Sequence, residues 1–191
     1  MARLKLFTGI DVGGVIRGKA ATLQQRLSDS GANVNWAAAE NFHITLNFLG
    51  DVDDRDLHGI CRAVADVAKT EPPFRLGISG VGAFPTPRRP KIVWAAITDG
   101  LDVLQRIHAA AEPKLTALGV YRREERGYTP HLTLGRVKDE TDGNLIAAEL
   151  PKYAEWNGGD TYVQEILVYS SDLRRDGPVY SVIGRAALSG R

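Results

Sequence analysis

His43-Ile44-Thr45-Leu46-Asn47-Phe48-Leu49-Gly50 and His131-Leu132-Thr133-Leu134-Gly135-Arg136-Val137 are nearly one stretch written twice. Each opens on a histidine, an aliphatic residue, a threonine and a leucine, the alternation of a strand with one buried face. Side chains on an extended chain repeat with a period of two. His43 and Thr45 therefore share a face, with Asn47 beyond them, while Ile44, Leu46 and Phe48 point the other way. His131 and Thr133 repeat the arrangement in front of Leu132 and Leu134. Two imidazoles and two hydroxyls, each pair on a strand with an apolar back, make a symmetric acid–base site if the two strands meet.

The chain around these stretches has matching parts. Leu4 to Ile10 alternates as a strand, and Gly13-Gly14 breaks it. Ile16, Ala20, Leu23 and Leu27 then fall at helical spacing over Val15 to Leu27. Val34-Asn35-Trp36 leads toward the first motif strand, which the pattern ends at Gly50-Asp51. Leu57, Ile60, Cys61, Val64 and Ala68 form one helical stripe, and Pro72-Pro73 stops it. Phe74 to Ile78 reads as a strand, Gly80 to Pro90 as a loop, and Lys91 to Ile97 as a strand. A third helix over Leu101 to Leu118 carries Pro113, which predicts a kink or a split, and Gly119 suits its C-terminal cap. A short helix over Gly143 to Leu150 and strands at Thr161 to Tyr169 and Val179 to Leu188 complete the chain, with a turn near Asp176-Gly177-Pro178. The motifs lie 88 positions apart, each with a helix before and after it. That order predicts two α+β halves of one bilobed domain over residues 1–191, each giving a strand to a shared groove.

Composition sets bounds on function. A length of 191 residues with 43% hydrophobic and 25% charged side chains fits a soluble domain with a substantial core. Net charge is +1, so any polyanion must be held by local basic clusters. Arg88, Arg89 and Lys91 form one cluster and Arg122, Arg123 and Arg126 another, the second diluted by Glu124 and Glu125. The lone Cys61 forms no internal disulfide and fits a reducing compartment. Neither a signal-peptide core nor a membrane-length apolar run is visible. The expectation is a cytoplasmic protein without a membrane partner.

Paired imidazoles suit displacement at phosphorus: one takes a proton from the attacking oxygen and the other protonates the departing alkoxide. Thr45 and Thr133 are placed to donate to the non-bridging oxygens. Opening a cyclic phosphodiester needs only those two proton transfers and no metal. Zinc ligation is the rival use of two histidines, but neither motif has a carboxylate or thiol at ligand spacing. His108 lies on a helical apolar stripe and reads as a packed core residue; His58 lies off its stripe and reads as solvated. Strict alternation puts Arg136 on the face opposite His131, unless Gly135 permits a bulge that redirects it. Phe42 reads as buried, while Trp36 and Tyr128 are open to base stacking or to packing.

The two His-x-Thr-Leu strands resemble those of the two-histidine phosphoesterase superfamily, and more closely the RNA 2′,3′-cyclic phosphodiesterases also described as 2′-5′ RNA ligases. The resemblance extends to Gly82-Ala83-Phe84-Pro85 before Trp94, Pro130 through Arg136, Leu167 through Ser171, and Gly177-Pro178-Val179-Tyr180. It implies an α+β bilobed fold of pseudo-two-fold duplicated antiparallel sheets, with helices outside and a central groove. It also implies cofactor-free, metal-independent hydrolysis of an RNA 2′,3′-cyclic phosphate to a 2′-phosphate. His43 would be the general acid, His131 the general base, and Thr45, Thr133 and Arg136 the phosphate ligands. Pseudo-symmetry leaves the exchanged acid–base assignment open. Substrates would be RNA ends, including tRNA fragments, or small cyclic nucleotides, acted on by a monomer. Ligation through a 2′-5′ linkage and a non-catalytic RNA-binding groove are the alternatives.

Overall fold

A computed structural model describes residues 3–122, 127–175 and 177–190. Arg123, Glu124, Glu125 and Arg126 of the second basic cluster, and Asp176 of the last turn, lie outside the described residues. In chain order the elements are β1 (Arg3–Asp11), α1 (Gly13–Ser28), β2 (Val34–Trp36), β3 (His43–Asp53), α2 (Leu57–Ala68), β4 (Phe74–Thr86), β5 (Arg89–Asp99), α3 (Leu101–Ala117), β6 (His131–Val137), α4 (Glu140–Glu149), β7 (Asn157–Val163), β8 (Glu165–Arg174) and β9 (Gly177–Ala187).

Among the described residues the strands form one antiparallel sheet in the order β7-β4-β5-β6-β3-β1-β8-β9, with β2 added beside β6. The expected duplication is visible in that order. β6, β5, β4 and β7 make one half, β3, β1, β8 and β9 the other, and the motif strands β6 and β3 meet at the seam. The halves are thus two parts of one sheet. Helices cross over: α1 follows β1 in one half yet packs on β7 in the other, while α3 follows β5 and packs on β3. α2 lies on β8 and β9, and α4 on β5 and β6. This exchange ties the halves together.

The helical stripes form the core as their periodicity dictates. Ile16, Ala20, Leu23 and Leu27 of α1 are all buried, as are Ile60 and Val64 of α2 and Leu104, Ile107, Ala111 and Leu115 of α3. Each fully buried aliphatic side chain contributes about 1.5–3 kcal/mol of transfer free energy. Only the ends of the α3 stripe, Leu101 and Leu118, are exposed. The expected cap is present: Gly119 adopts φ +73°, its N–H reaches Thr116 O at 2.9 Å, and Val120 N–H reaches Leu115 O at 3.3 Å.

Three sequence expectations are corrected and a fourth is narrowed. Pro113 does not split α3, which runs unbroken from Leu101 to Ala117. Pro113 and Ala109 both lie on the exposed side, so water can take the carbonyl that loses its helical donor. Gly80 to Pro90 is not a loop: β4 and β5 extend through it as a hairpin, leaving Pro87 and Arg88 as the turn. Pro85 and Pro90 are register partners, so the residues without donors face each other. Thr161 to Tyr169 is two strands. Val163 and Ile166 are both buried three positions apart, which one straight strand cannot do, and at Gln164 the chain passes from β7 in one half to β8 in the other. Finally, α4 begins at Glu140, where the Asp139 carboxylate caps Asp142 N–H at 2.9 Å.

Candidate functional site

β3 and β6 pair at Ile44 opposite Leu132. Antiparallel order sets the residue before Ile44 beside the residue after Leu132, so His43 aligns with Thr133 and Thr45 with His131. Ile44 and Leu132 are fully buried, and the four motif side chains lie half-buried on the other face.

Each motif strand then carries a bulge at its leucine. Thr8 pairs with Asn47 and Gly9 with Thr45, which leaves Leu46 as the extra residue in β3. Val93 pairs with Gly135 and Trp94 with Thr133, which leaves Leu134 as the extra residue in β6. One extra residue reverses the side-chain phase beyond it. Asn47 therefore turns into the core at 1% exposure and Phe48 turns outward at 51%, the reverse of the strict alternation expected from sequence. The same reversal buries Gly135 and turns Arg136 outward, to the side of the strand that carries His131 and Thr133. Gly135 is needed there because a Cβ would stand 2.7 Å from both Trp36 and Val34. Trp36 is accordingly a packing residue on β2.

The two imidazoles have matching anchors. His43 Nδ1–H donates to Asn41 O at 2.7 Å, and His131 Nδ1–H donates to Thr129 O at 2.7 Å. In both cases this leaves Nε2 as the nitrogen able to exchange a proton. The Thr45 hydroxyl lies 2.9 Å from His43 Nε2 and donates to it in the neutral ring. Aromatic rings wall both histidines. Phe7 lies 4.7 Å from His43, with Tyr180 edge-on at 5.2 Å; Phe84 lies edge-on to His131 at 5.0 Å.

Burial is the main influence on both rings and lowers both pKa values from the ordinary 6.5. The smaller influences differ. For His43 the Asn41 carbonyl opposes the shift, the His131 charge adds to it, and the Asp11 carboxylate opposes it. For His131 the Thr129 carbonyl opposes the shift and the Arg136 guanidinium adds to it. The pairing of Ile44 with Leu132 sets His43 and His131 on adjacent strands, so the His131 charge is felt at His43.

The surroundings break the symmetry. Beside His43 opens a cavity of about 250 Å³ whose wall includes Asp11, Glu40, Tyr169, Tyr180 and Arg185. On the other side Arg136 is exposed near His131, while the matching position beyond the β3 bulge holds Phe48. Arg88, Arg89 and Lys91 are exposed at the β4–β5 hairpin end. Among the described residues no three His, Cys, Asp or Glu side chains gather as a metal-binding group, and no helix is long and apolar enough to cross a membrane.

Sequence reasoning missed a second layer behind the motifs. His108 is half-buried on α3, and its Nδ1–H donates to Leu46 O at 2.9 Å. Tyr128 stacks on the His108 ring at 4.0 Å and donates its hydroxyl to Thr45 O at 2.8 Å. Tyr128 is thereby a link between the motifs, since the same short segment presents His131. Helical spacing places His108 toward the core, but its polar partner is the carbonyl of the bulged Leu46, which spacing does not reveal. His58 is exposed and Phe42 buried, as expected.

Residues 11–94 match the family model described as LigT-like phosphoesterase. The RNA 2′,3′-cyclic phosphodiesterase of Archaeoglobus fulgidus is 34% identical over 93% of this chain and 96% of its own. That of Aeropyrum pernix is 33% identical over 91% of this chain and 98% of its own. Among solved structures, TT0787 of Thermus thermophilus superposes with a TM-score of 0.82 at 21% identity, covering 98% of this chain and 100% of that one. LigT of E. coli complexed with 3′-AMP superposes with a TM-score of 0.80 at 23% identity, covering 98% and 99%. These two likenesses establish the shared fold.

Proposed function

The chain belongs to the LigT-like phosphoesterase family, and from that premise we propose that it hydrolyses RNA-terminal 2′,3′-cyclic phosphates to 2′-phosphates, with His43 as general acid and His131 as general base. The observation that carries the reaction class is that a backbone carbonyl holds Nδ1–H of each histidine at 2.7 Å, which leaves both Nε2 atoms to exchange protons; the order of acid and base follows from the unequal charge beside them. Burial lowers both pKa values and the His131 charge lowers that of His43 further; against this Asp11 favours the protonated form of His43, as an acid requires, while Arg136 adds to burial in favouring the neutral form of His131, as a base requires.

In this reading His131 Nε2 takes a proton from water as the water oxygen bonds to phosphorus. The bond from phosphorus to O3′ breaks, and His43 Nε2 gives its proton to O3′. The products are a 2′-phosphate and a 3′-hydroxyl, and proton exchange with solvent resets both rings. In-line attack puts the ribose and the water on opposite sides of phosphorus. Tyr169 and Tyr180, in the wall of the otherwise largely polar cavity beside His43, offer rings to a nucleoside, which keeps O3′ next to the acid. Thr45, Thr133 and Arg136 hold the non-bridging oxygens. No step needs a metal ion or cofactor.

Phosphorus NMR on a short RNA ending in a 2′,3′-cyclic phosphate, with EDTA present, tests this reading. The expected product is a terminal 2′-phosphate alone. A 3′-phosphate would exchange the leaving oxygen, and turnover only after a divalent metal is added would overturn metal independence.

The pH profile follows from the directions of the two shifts. The base limb of kcat/KM rises as His131 loses its proton, and the acid limb falls as His43 loses its own. Both pKa values of the free protein are below 6.5, so the maximum of kcat/KM lies on the acid side of 6.5. Asp11→Asn removes the group that raises His43 and moves the acid limb to still lower pH. A maximum above neutrality would contradict the burial of the two rings.

A further inference from the structure

At each bulge the carbonyl of the extra leucine accepts from a side chain of the crossed-over helix, and on the His131 side a backbone N–H reaches the same carbonyl. On the His43 side the donor is His108 of α3, which reaches Leu46 O at 2.9 Å. On the His131 side it is Gln24 of α1, whose Nε2 donates to Leu134 O at 2.7 Å and to Ala37 O at 2.8 Å. Gln24 is 8% exposed, one of the few buried polar side chains among the described residues. A helix interior facing a sheet would ordinarily hold an aliphatic residue at such a position, and an amide is retained only where its hydrogen bonds are made. Both hydrogens of its amide are used, one on the bulge and one on the segment that follows β2. Ala37 N–H also donates to Leu134 O at 2.9 Å, so the amide, the β2 segment and the bulge form one closed set of bonds.

We propose that Gln24 is a positioning residue for Arg136: it holds the Leu134 bulge and so keeps the guanidinium on the phosphate side of β6. The connection is geometric. Arg136 is on that side because one residue is extra before it. If the bulge slips back to regular pairing, every side chain beyond Leu134 exchanges faces, and Arg136 turns away from His131. Gln24 touches no reacting atom and acts through the backbone of two intervening residues. This inference rests on the assignment of Arg136 to phosphate made above, and it gives α1 a part in binding that its sequence pattern does not suggest.

The test is a double-mutant cycle of Gln24→Met, which keeps length and shape but cannot donate, with Arg136→Ala. Two readouts are taken: the affinity for inorganic phosphate by calorimetry, and kcat/KM on a nucleoside 2′,3′-cyclic phosphate. In the Arg136 background Gln24→Met is expected to weaken phosphate binding and to lower kcat/KM by about tenfold each; on Arg136→Ala it is expected to cost less than about twofold, the non-additivity of coupled residues. Gln24→His restores a ring N–H of the kind α3 uses and is expected to recover part of the loss. If Gln24→Met does not fold, Gln24→His enters the cycle in its place, with a smaller but equally coupled effect. Equal losses in both backgrounds would show a merely structural amide and overturn the proposal. Phosphate binding indifferent to Arg136→Ala would overturn it as well. Coupled phosphate binding without turnover would leave the role of Gln24 standing and fail the hydrolase reading instead.

Discussion

His43→Ala and His131→Ala each lower kcat/KM for a cyclic phosphate by about 10³-fold, near the middle of the range for loss of one proton carrier. The double substitution costs little more than either single one, because acid and base act in one transition state and their losses do not add. Folding is expected to survive, since the histidines are half-buried at the groove while the Ile44 and Leu132 side chains behind them fill the core. The two single variants are separated by leaving group. A diester with a nitrophenolate leaving group departs without a proton, so His43→Ala recovers much of its activity on it while His131→Ala does not. Recovery by His131→Ala instead would exchange the roles. Loss of both activities to the same extent would mean that the histidines bind rather than transfer protons.

Much of this arrangement is legible in the sequence because strand alternation and helical periodicity depend on residues close along the chain. The shared face of His43 and Thr45, the stripes of α1 and α3, and the Gly119 cap all follow from such local rules. What is not legible depends on pairing between distant strands. Nothing within Leu46-Asn47-Phe48 announces that its leucine has no partner across β1, so alternation alone puts Asn47 and Phe48 on the wrong faces. The separation of β7 from β8 is similar. A lone polar Gln164 between two strand-like runs does not tell that the runs belong to opposite halves of the sheet. His108 shows the limit from another side: its spacing points inward correctly, but its partner is the carbonyl of the bulged Leu46, 62 positions away.

Arg136 carries the second large expected effect. Arg136→Ala lowers kcat/KM by about 10²-fold, in line with loss of one charge-assisted bond to a developing oxyanion. Arg136→Lys keeps the charge but loses the planar fork that fits two phosphate oxygens, and is expected to recover about a tenth of the activity. A second consequence separates this role from a general attraction for RNA. The Arg136 charge also holds the His131 pKa down, so its removal lets that pKa rise and moves the base limb of the kcat/KM profile to higher pH. A remote surface cation lost from the groove rim would weaken RNA binding, and would do so less as salt rises, without moving that limb. The pseudo-symmetric position gives an internal control. Phe48 occupies the place in β3 that Arg136 occupies in β6, five residues beyond the histidine and past a bulge of the same form. Phe48→Ala is expected to leave both limbs of the pH profile in place, because an uncharged ring has no charge to remove. The duplicated backbone therefore supplies two equivalent outward positions, and in the proposed mechanism the charge at only one of them gives the groove its direction.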